Sequence, residues 1–242
     1  MPIDAVIVAA GAGRRMGMAR PKQYLELGGR TVLEQAICRL ARLCPDPGQL
    51  VVVLAEGDEH FAALRPRLED DLGAMAGSLV TVTGGAQRQD SVWSGLERCR
   101  SDYVMIHDAA RPLVRADELQ ALCAHADGHC AGAILAVPVS DTLKRARDHR
   151  IEATVPRQDL YRACTPQLFM RRRLLQACAQ VRSQGLTVTD EAMAMELAGE
   201  DVALVASGMF SLKITHREDL LLARALLELE QGGCGAGPQP QP

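Results

Sequence analysis

No apolar run in this 242-residue chain approaches the roughly 20 residues that a membrane span requires. The longest, at residues 5–10 and 50–55, have the length of a strand, which excludes a spanning helix. A secretory signal is also missing: Asp4 sits inside the first apolar run and Arg14 and Arg15 follow it, the reverse of the basic-then-apolar order. A cytoplasmic protein is expected. The eight cysteines (Cys38, Cys44, Cys99, Cys123, Cys130, Cys164, Cys178, Cys234) contain no Cys-x-x-Cys pair. Neither a disulfide framework nor a zinc knuckle is therefore expected in a chain of this size. His125, His129 and Cys130 gather around Asp127-Gly128, but Asp-Gly is turn chemistry, so a surface loop is the simpler reading. Lysine is scarce, with only Lys22, Lys144 and Lys213 among 27 cationic residues. In a chain that writes arginine nearly everywhere, a lysine can mark a position that calls for a compact point charge.

What is present is ordinary globular material: 48% hydrophobic, 24% charged, formal net charge −3. A chain this long buries about 70–75% of the surface its unfolded form exposes, so disorder and collagen-like order are excluded. The slight acidity leaves no nucleic-acid footprint, and any basic groups that act together must be concentrated at a site.

Apolar runs of strand length at 3–9, 50–55, 79–83, 103–106 and 131–137 alternate with helical periodicity at 31–43, 58–71, 90–100 and 117–126. Strands that are apolar throughout and alternate with helices imply a parallel sheet covered on both faces, an α/β fold. Thr31 and Glu34 form a capping box, and Thr215 with Glu218 reads as a second one opening a helix to about residue 230. The rhythm breaks at Pro138. From 140 to about 165 the chain is polar and basic, and 142–147 and 151–155 flank Asp148-His149-Arg150 as a candidate hairpin. Such a ribbon is marginal alone and needs something to pack against. Helical periodicity returns at 171–184 and after Asp190, and 202–206 offers a last strand. The Gly/Pro/Gln tail, 231–242, is expected to be disordered.

In an open α/β sheet ligands bind beyond the carboxyl ends of the strands. The first such loop, Ala9-Ala10-Gly11-Ala12-Gly13-Arg14-Arg15-Met16-Gly17, offers small residues where a phosphate can approach backbone, then two cations, with Lys22 following in Pro21-Lys22-Gln23-Tyr24. Its spacing is neither the dinucleotide fingerprint nor a Walker loop, which disfavours a dehydrogenase and a P-loop NTPase. Gly84-Gly85-Ala86-Gln87-Arg88-Gln89-Asp90-Ser91 leaves backbone open to a flat base, and Ser91 can donate or accept. His107-Asp108-Ala109-Ala110-Arg111-Pro112 places a carboxylate at a strand end, suited to holding Mg²⁺ against phosphate oxygens. His107 reads as a structural residue rather than a catalyst.

Together these strings, with Pro-Val-Ser-Asp-Thr (138–142), Thr-Pro-Gln (165–167), Thr-Asp-Glu (189–191) and Lys-Ile-Thr followed by Glu-Asp-Leu (213–220), resemble the cytidylyltransferases that make 4-diphosphocytidyl-2-C-methyl-D-erythritol. The resemblance runs in order over about residues 3–226. It implies a Rossmann-like nucleotidyltransferase fold with a mostly parallel sheet, helices on both faces and a protruding β-arm. It further implies one domain over 1–230, with the arm at about 139–160 carrying a homodimer. The implied reaction joins CTP to 2-C-methyl-D-erythritol 4-phosphate with Mg²⁺ and releases pyrophosphate, with no nucleic acid or membrane partner.

By the same resemblance Arg15, Lys22, Arg157 and Lys213 are catalytic. Ala10, Gly11, Ala12, Gly13, Gly85, Ser91, Asp108, Ala109 and Arg111 contact the nucleotide, and Asp108 holds the metal. Thr142, Arg157, Thr165, Thr189 and Lys213 take the sugar phosphate, with Thr142 and Arg157 coming from the partner's arm. Two positions depart from the family: Ala86, where many relatives carry a polar residue, and Ser211, where asparagine is common. The competing readings are the same transfer to ribitol 5-phosphate and a non-catalytic nucleotide-binding regulator.

Overall fold

The computed structural model describes residues 1–11 and 20–233. Ala12, Gly13 and Arg15 of the first loop, and 234–242 of the tail, lie outside the described residues. Strand β1 (Ile3–Val8) sends Ile3, Ala5 and Ile7 into one core and Val6 into another, as the two-residue period of a strand buried on both faces requires. A single 3-10 turn (Lys22–Tyr24) and the two short strands β2 (Glu26–Leu27) and β3 (Arg30–Thr31) lead to helix α1 (Val32–Leu43). The capping box at its start is formed: Glu34 N–H donates to Thr31 Oγ1 at 3.2 Å and Thr31 N–H to Glu34 Oε2 at 2.6 Å.

Then follow β4 (Pro47–Leu54), α2 (His60–Leu72), β5 (Leu79–Thr83), α3 (Arg88–Leu96), β6 (Tyr103–Asp108), α4 (Ala116–Cys123) and β7 (Gly132–Pro138). A hairpin, β8 (Leu143–Arg147) and β9 (Arg150–Val155), projects next. After it come β10 (Tyr161–Met170), α5 (Arg171–Ser183), α6 (Glu191–Leu197), β11 (Val202–Ala206) and α7 (Arg217–Gly233).

The main sheet has the order β11-β7-β10-β6-β1-β4-β5. Every pairing in it is parallel except those of β10, which runs antiparallel between β6 and β7. Helices α1, α2 and α4 pack on one face through Leu33, Ile37, Leu68 and Leu119. On the other, α3, α5 and α6 pack through Leu96, Leu174 and Met195 against Val6, Val53 and Ile106. Gly95 lets α3 lie close: a Cβ there would sit 2.4 Å from Val6 Cγ1. Helix α7 buries Ala223, Leu226 and Leu227 with Leu25, Leu27 and Val32 in a third cluster. The α/β reading with both faces covered holds.

Three expectations need correction. The segment before Arg171 is not polar arm throughout, because β10 supplies ten residues of central strand. Its antiparallel ladder shifts register between Ala163 and Gln167, around Pro166, which has no N–H to give to a neighbour. At the last helix the capping acceptor is Asp219, whose Oδ2 takes the N–H groups of both Thr215 and His216 at 2.7 Å, and Glu218 plays no part in that cap. That helix also runs to Gly233, three residues into the expected tail.

Asp4, an acid within an apolar strand, is 1% exposed. Its carboxylate accepts the backbone N–H of Gln49 (2.7 Å), Arg100 (2.6 Å) and Ser101 (2.9 Å) and the Ser101 hydroxyl (2.8 Å). Burial alone would raise its pKa, but these donors together hold it below the usual carboxylate range. Asp4→Ala, which leaves three backbone N–H groups without their acceptor, is expected to cost about 2–4 kcal/mol, read as a lowered melting temperature or denaturation midpoint. Because the folded pKa is the lower one, Asp4's contribution is complete above the unfolded value near 3.9 and fades as pH falls through the folded value. The deficit of Asp4→Ala relative to the parent should accordingly shrink in strong acid.

Candidate active site

Strand β1 has β4 on one side and β6 on the other; the chain steps outward from β1 to β4 and β5 and then crosses back to β6, and this reversal of strand order opens a crevice at their carboxyl ends. A cleft of about 520 Å³ lies there. Of the residues expected to meet the nucleotide, Ala10, Gly11, Gly85, Ser91, Asp108 and Ala109 line it, together with Lys22 and Lys213. A second groove of about 260 Å³ adjoins it and shares Arg88, Asp108 and Lys213. Arg111, Thr165 and Thr189 line this groove. Thr142 and Arg157 line neither; both are exposed, and the Arg157 guanidinium donates to the Ser140 carbonyl.

The small residues of the loops are there for space. A Cβ on Gly84 would sit 2.6 Å from Ser91 Oγ and 2.8 Å from Ala10 Cβ, so any side chain would push apart the loops after β1 and β5. Ser91 is itself 2% exposed and spends its hydroxyl within the loop. It accepts the Gly85 N–H and donates to the Gln87 carbonyl, both at 3.2 Å. Its role at the cleft wall is to shape the turn that presents the 85–87 backbone. Lys22 reaches the cleft from the far side, its Nζ donating to the Ile214 carbonyl at 2.8 Å.

At the centre stands Asp108. Lys213 Nζ donates to Oδ2 at 2.6 Å and Arg88 Nε to Oδ1 at 3.1 Å. Burial pushes this carboxyl up, yet the fields of Arg88, Lys213 and Arg111 outweigh it, and Asp108 is held ionised well below the usual carboxylate range. Behind it, the antiparallel register Gln167↔Ile106, continued by two residues, sets Thr165 opposite Asp108. In place of a ladder bond the Thr165 hydroxyl accepts the Asp108 N–H at 3.0 Å. His107 is fully buried with its Nε2 at 2.9 Å from the Arg111 carbonyl, which only accepts, so Nε2 carries the proton and Nδ1 accepts from Thr165 Oγ1 at 3.2 Å. Burial drives the His107 pKa down to about 4 against the pull of Asp108. The imidazole is neutral at physiological pH with both nitrogens occupied, a brace and not a base.

Two residues at this centre were not expected as site residues. Arg88, besides its bond to Asp108, forks onto Glu191, Nη1 to Oε1 at 2.7 Å and Nη2 to Oε2 at 2.9 Å. Glu191 is 2% exposed. Burial pushes its carboxyl up while Arg88 pulls it back, and burial likewise works against the Arg88 charge that Glu191 and Asp108 sustain. The departure at Ser211 is accommodated: it is buried, pairs with Ser207 Oγ at 2.6 Å, and its carbonyl accepts from Arg111.

Asp108 is the one acid among the described residues lining the larger cleft, and no three acid, His or Cys side chains among the described residues cluster to hold a metal. A magnesium ion caged by protein would not fit. One that takes a single carboxylate here and its other oxygens from phosphates and water does, which is the habit of Mg²⁺ in nucleotide sites. No described helix is long and apolar enough to cross a membrane.

This cleft sits in a chain whose relatives are plain. A protein of Vibrio atlanticus named 2-C-methyl-D-erythritol 4-phosphate cytidylyltransferase is 43% identical over 229 residues, 93% of this chain and 95% of that protein. The protein of the same name from Tolumonas auensis is 42% identical over 94% of this chain and 97% of its own length. The crystal structure of the enzyme of that name from Thermus thermophilus superposes with a TM-score of 0.77 at 33% identity, covering 94% of this chain and all of that one. The model of the 2-C-methyl-D-erythritol 4-phosphate cytidylyltransferase family matches residues 3–229, and the chain belongs to that family of nucleotidyltransferases.

Proposed function

We propose that the larger cleft binds CTP with magnesium, that the adjoining groove binds 2-C-methyl-D-erythritol 4-phosphate, and that the chain joins them to 4-diphosphocytidyl-2-C-methyl-D-erythritol and pyrophosphate. The observation that carries this reading is the shared wall: Asp108, Lys213 and Arg88 border both cavities, so the two substrates' phosphates meet over one cluster of charge. A phosphate oxygen of the acceptor attacks the α-phosphorus of CTP. The new bond is P–O–P, and the bond from the α-phosphorus to the oxygen bridging to the β-phosphorus breaks, its electrons leaving on pyrophosphate. The attacking monoester is already anionic, so no side chain needs to take a proton, in keeping with a neutral, fully engaged His107.

The difficulty is bringing two polyanions together, and cations answer it. Lys22 from the 3-10 turn and Lys213 flank the cleft, and family resemblance adds Arg15, which lies outside the described residues, as a third cation. Asp108 would hold the magnesium ion, which when bound neutralises triphosphate charge and eases departure of pyrophosphate. Asp108→Asn, which keeps the shape and removes the charge, is expected to raise the magnesium concentration needed for half-maximal rate by about tenfold, with circular dichroism unchanged. An unchanged magnesium titration would place the metal elsewhere.

Thr142 and Arg157 complete the acceptor site from a second copy of the chain. The exposed hairpin supports this: Ile151 is 68% exposed, and a two-stranded ribbon is marginal without a partner. The setting is the cytoplasm, where CTP is available. Pyrophosphate release from CTP is the test, measured with each acceptor in turn. Release with 2-C-methyl-D-erythritol 4-phosphate and not with ribitol 5-phosphate is expected; release with ribitol 5-phosphate alone, or with neither, overturns the reading.

A further inference from the structure

Glu191 lines neither cavity, yet it is a buried charge next in sequence to Asp190, which borders the groove. Stability does not account for it. Burying an ion pair costs solvation that its own attraction barely recovers, and an apolar pair of the same volume serves a core as well. Its place is built with care. Asp190 caps α6 by accepting the Met193 N–H at 3.0 Å, and Gln167 of β10, 1% exposed, donates to Asp190 Oδ2 at 2.9 Å and accepts the Ala192 N–H at 3.2 Å. Gln167 stands opposite Ile106 of β6, two residues before Asp108. The Glu191 carboxylate is thus referenced to the same pair of strands that carries Asp108.

Between the two acids lies Arg88, whose side chain is 29% exposed and borders both the cleft and the groove. A guanidinium there, with its planar fork free, would be the strongest phosphate ligand in the site. Its fork is not free: Nη1 and Nη2 are both aligned on Glu191, and Nε alone faces Asp108. Lys213 meets the other Asp108 oxygen through a single bond of a three-donor ammonium, an arrangement that lets it turn to a phosphate.

We propose that Glu191 is a positioning residue for the transfer: by occupying both terminal nitrogens of Arg88 it holds Arg88 Nε against Asp108 and keeps that guanidinium off the substrate phosphates. This rests on the reading of the larger cleft as a CTP site. Without Glu191 the Arg88 fork turns to the triphosphate, CTP is held more tightly in a geometry that does not react, and Asp108 loses a brace. Tighter ground-state binding with slower turnover is the signature, because binding that favours the ground state over the transition state slows the chemical step.

The test measures CTP affinity by calorimetry without acceptor, and kcat and KM with it, for the full chain and for Glu191→Gln. The isosteric amide keeps one acceptor oxygen and puts an NH2 donor where the second stood, so the two-oxygen fork on the terminal nitrogens is lost. About a threefold or greater tightening of CTP binding and about a tenfold fall in kcat are expected. In the double variant Glu191→Gln/Arg88→Gln the free guanidinium is gone, so CTP affinity should return to that of the parent or below it while kcat stays low. A merely structural role for Glu191 lowers the melting temperature and the active fraction but leaves CTP affinity of the folded protein unchanged, and that result would overturn the proposal, as would tight binding that persists in the double variant. Should Glu191→Gln not fold, Glu191→Asp serves the same test, since a carboxylate one methylene short cannot hold both nitrogens. A parent chain that binds no CTP would remove the nucleotide reading itself; a parent that binds CTP with an affinity equal to the variant's removes only the role of Glu191.

Discussion

Lys22→Ala is expected to fold like the parent and to lose about 10²–10³ in kcat with a smaller change in the KM for CTP, the loss typical of removing one donor from a developing anion. The side chain springs from a single 3-10 turn, is partly buried, and brings Nζ to the cleft wall at the Ile214 carbonyl, 2.8 Å away. That carbonyl neighbours Lys213, so two lysines reach the same rim from distant parts of the chain. Charge that grows on the α-phosphoryl group and the departing pyrophosphate is stabilised where cations are already in place and already desolvated. An ammonium on a flexible stem suits this, since it can follow the phosphate as the bond breaks. The backbone hydrogen bonds of the 3-10 turn, Tyr24 N–H to Pro21 and Leu25 N–H to Lys22, do not involve the side chain, so the fold should survive the change. Circular dichroism with steady-state rates checks both halves. Turnover within a few fold of the parent would remove Lys22 from the chemistry.

Much of this was legible in the residues, for a physical reason. Strands buried on both faces, such as β1 and β6, leave continuous apolar runs, and the half-exposed edge strands β5 and β11 still begin and end where the pattern places them, at 79–83 and 202–206. Capping boxes are local, and Thr31 with Glu34 could be read as one. Strand β10 could not, because its first residues are exposed, Pro166 interrupts it, and what makes it a strand is the gap between β6 and β7, a tertiary fact absent from any short window. The cap at α7 escapes a local reading for a related reason. Glu218 and Asp219 both offer a carboxylate within one residue of each other, and only the path of the chain decides which meets the N–H groups of Thr215 and His216.

The site divides in the same way. Residues at or just after strand ends, such as Ala10, Gly85, Asp108 and Ala109, stand where topology directs a ligand, since strand ends in an open sheet converge on one crevice, and family resemblance named them individually. Arg88 stood in a quoted string but gave no sign of its partner, because Glu191 is about a hundred positions away and nothing local marks an acid as buried. The available signal was weak: an acid at the first turn of a helix whose following residues, Ala192, Ala194 and Met195, are core. Thr165 and Ser91 were read as substrate contacts, and the structure shows both hydroxyls engaged in shaping the protein around the cleft.

Mixing two nearly inactive variants, Arg157→Ala and Lys22→Ala, is expected to restore activity once subunits exchange. In the dimer proposed above, each site takes Lys22 from one chain and Arg157 from the arm of the other. A heterodimer of the two variants then has one site with both residues intact and one with both missing. Random exchange at equal concentrations makes half of the dimers mixed, so about a quarter of parental activity per chain should return. The single-chain geometry points this way, since Arg157 lines neither cavity of its own chain and lies on the return from a hairpin whose residues are almost all exposed. A strand pair so exposed, carrying Lys144, Arg145, Arg147 and Arg150, presents a basic surface to whatever it crosses, and an anionic sugar phosphate bound at a neighbour's groove is a complement to it. If exchange is confirmed by mass and no activity returns, Arg157 acts within its own chain or not at all, and the acceptor groove must find its remaining positive charge in Arg88, Arg111 and Lys213.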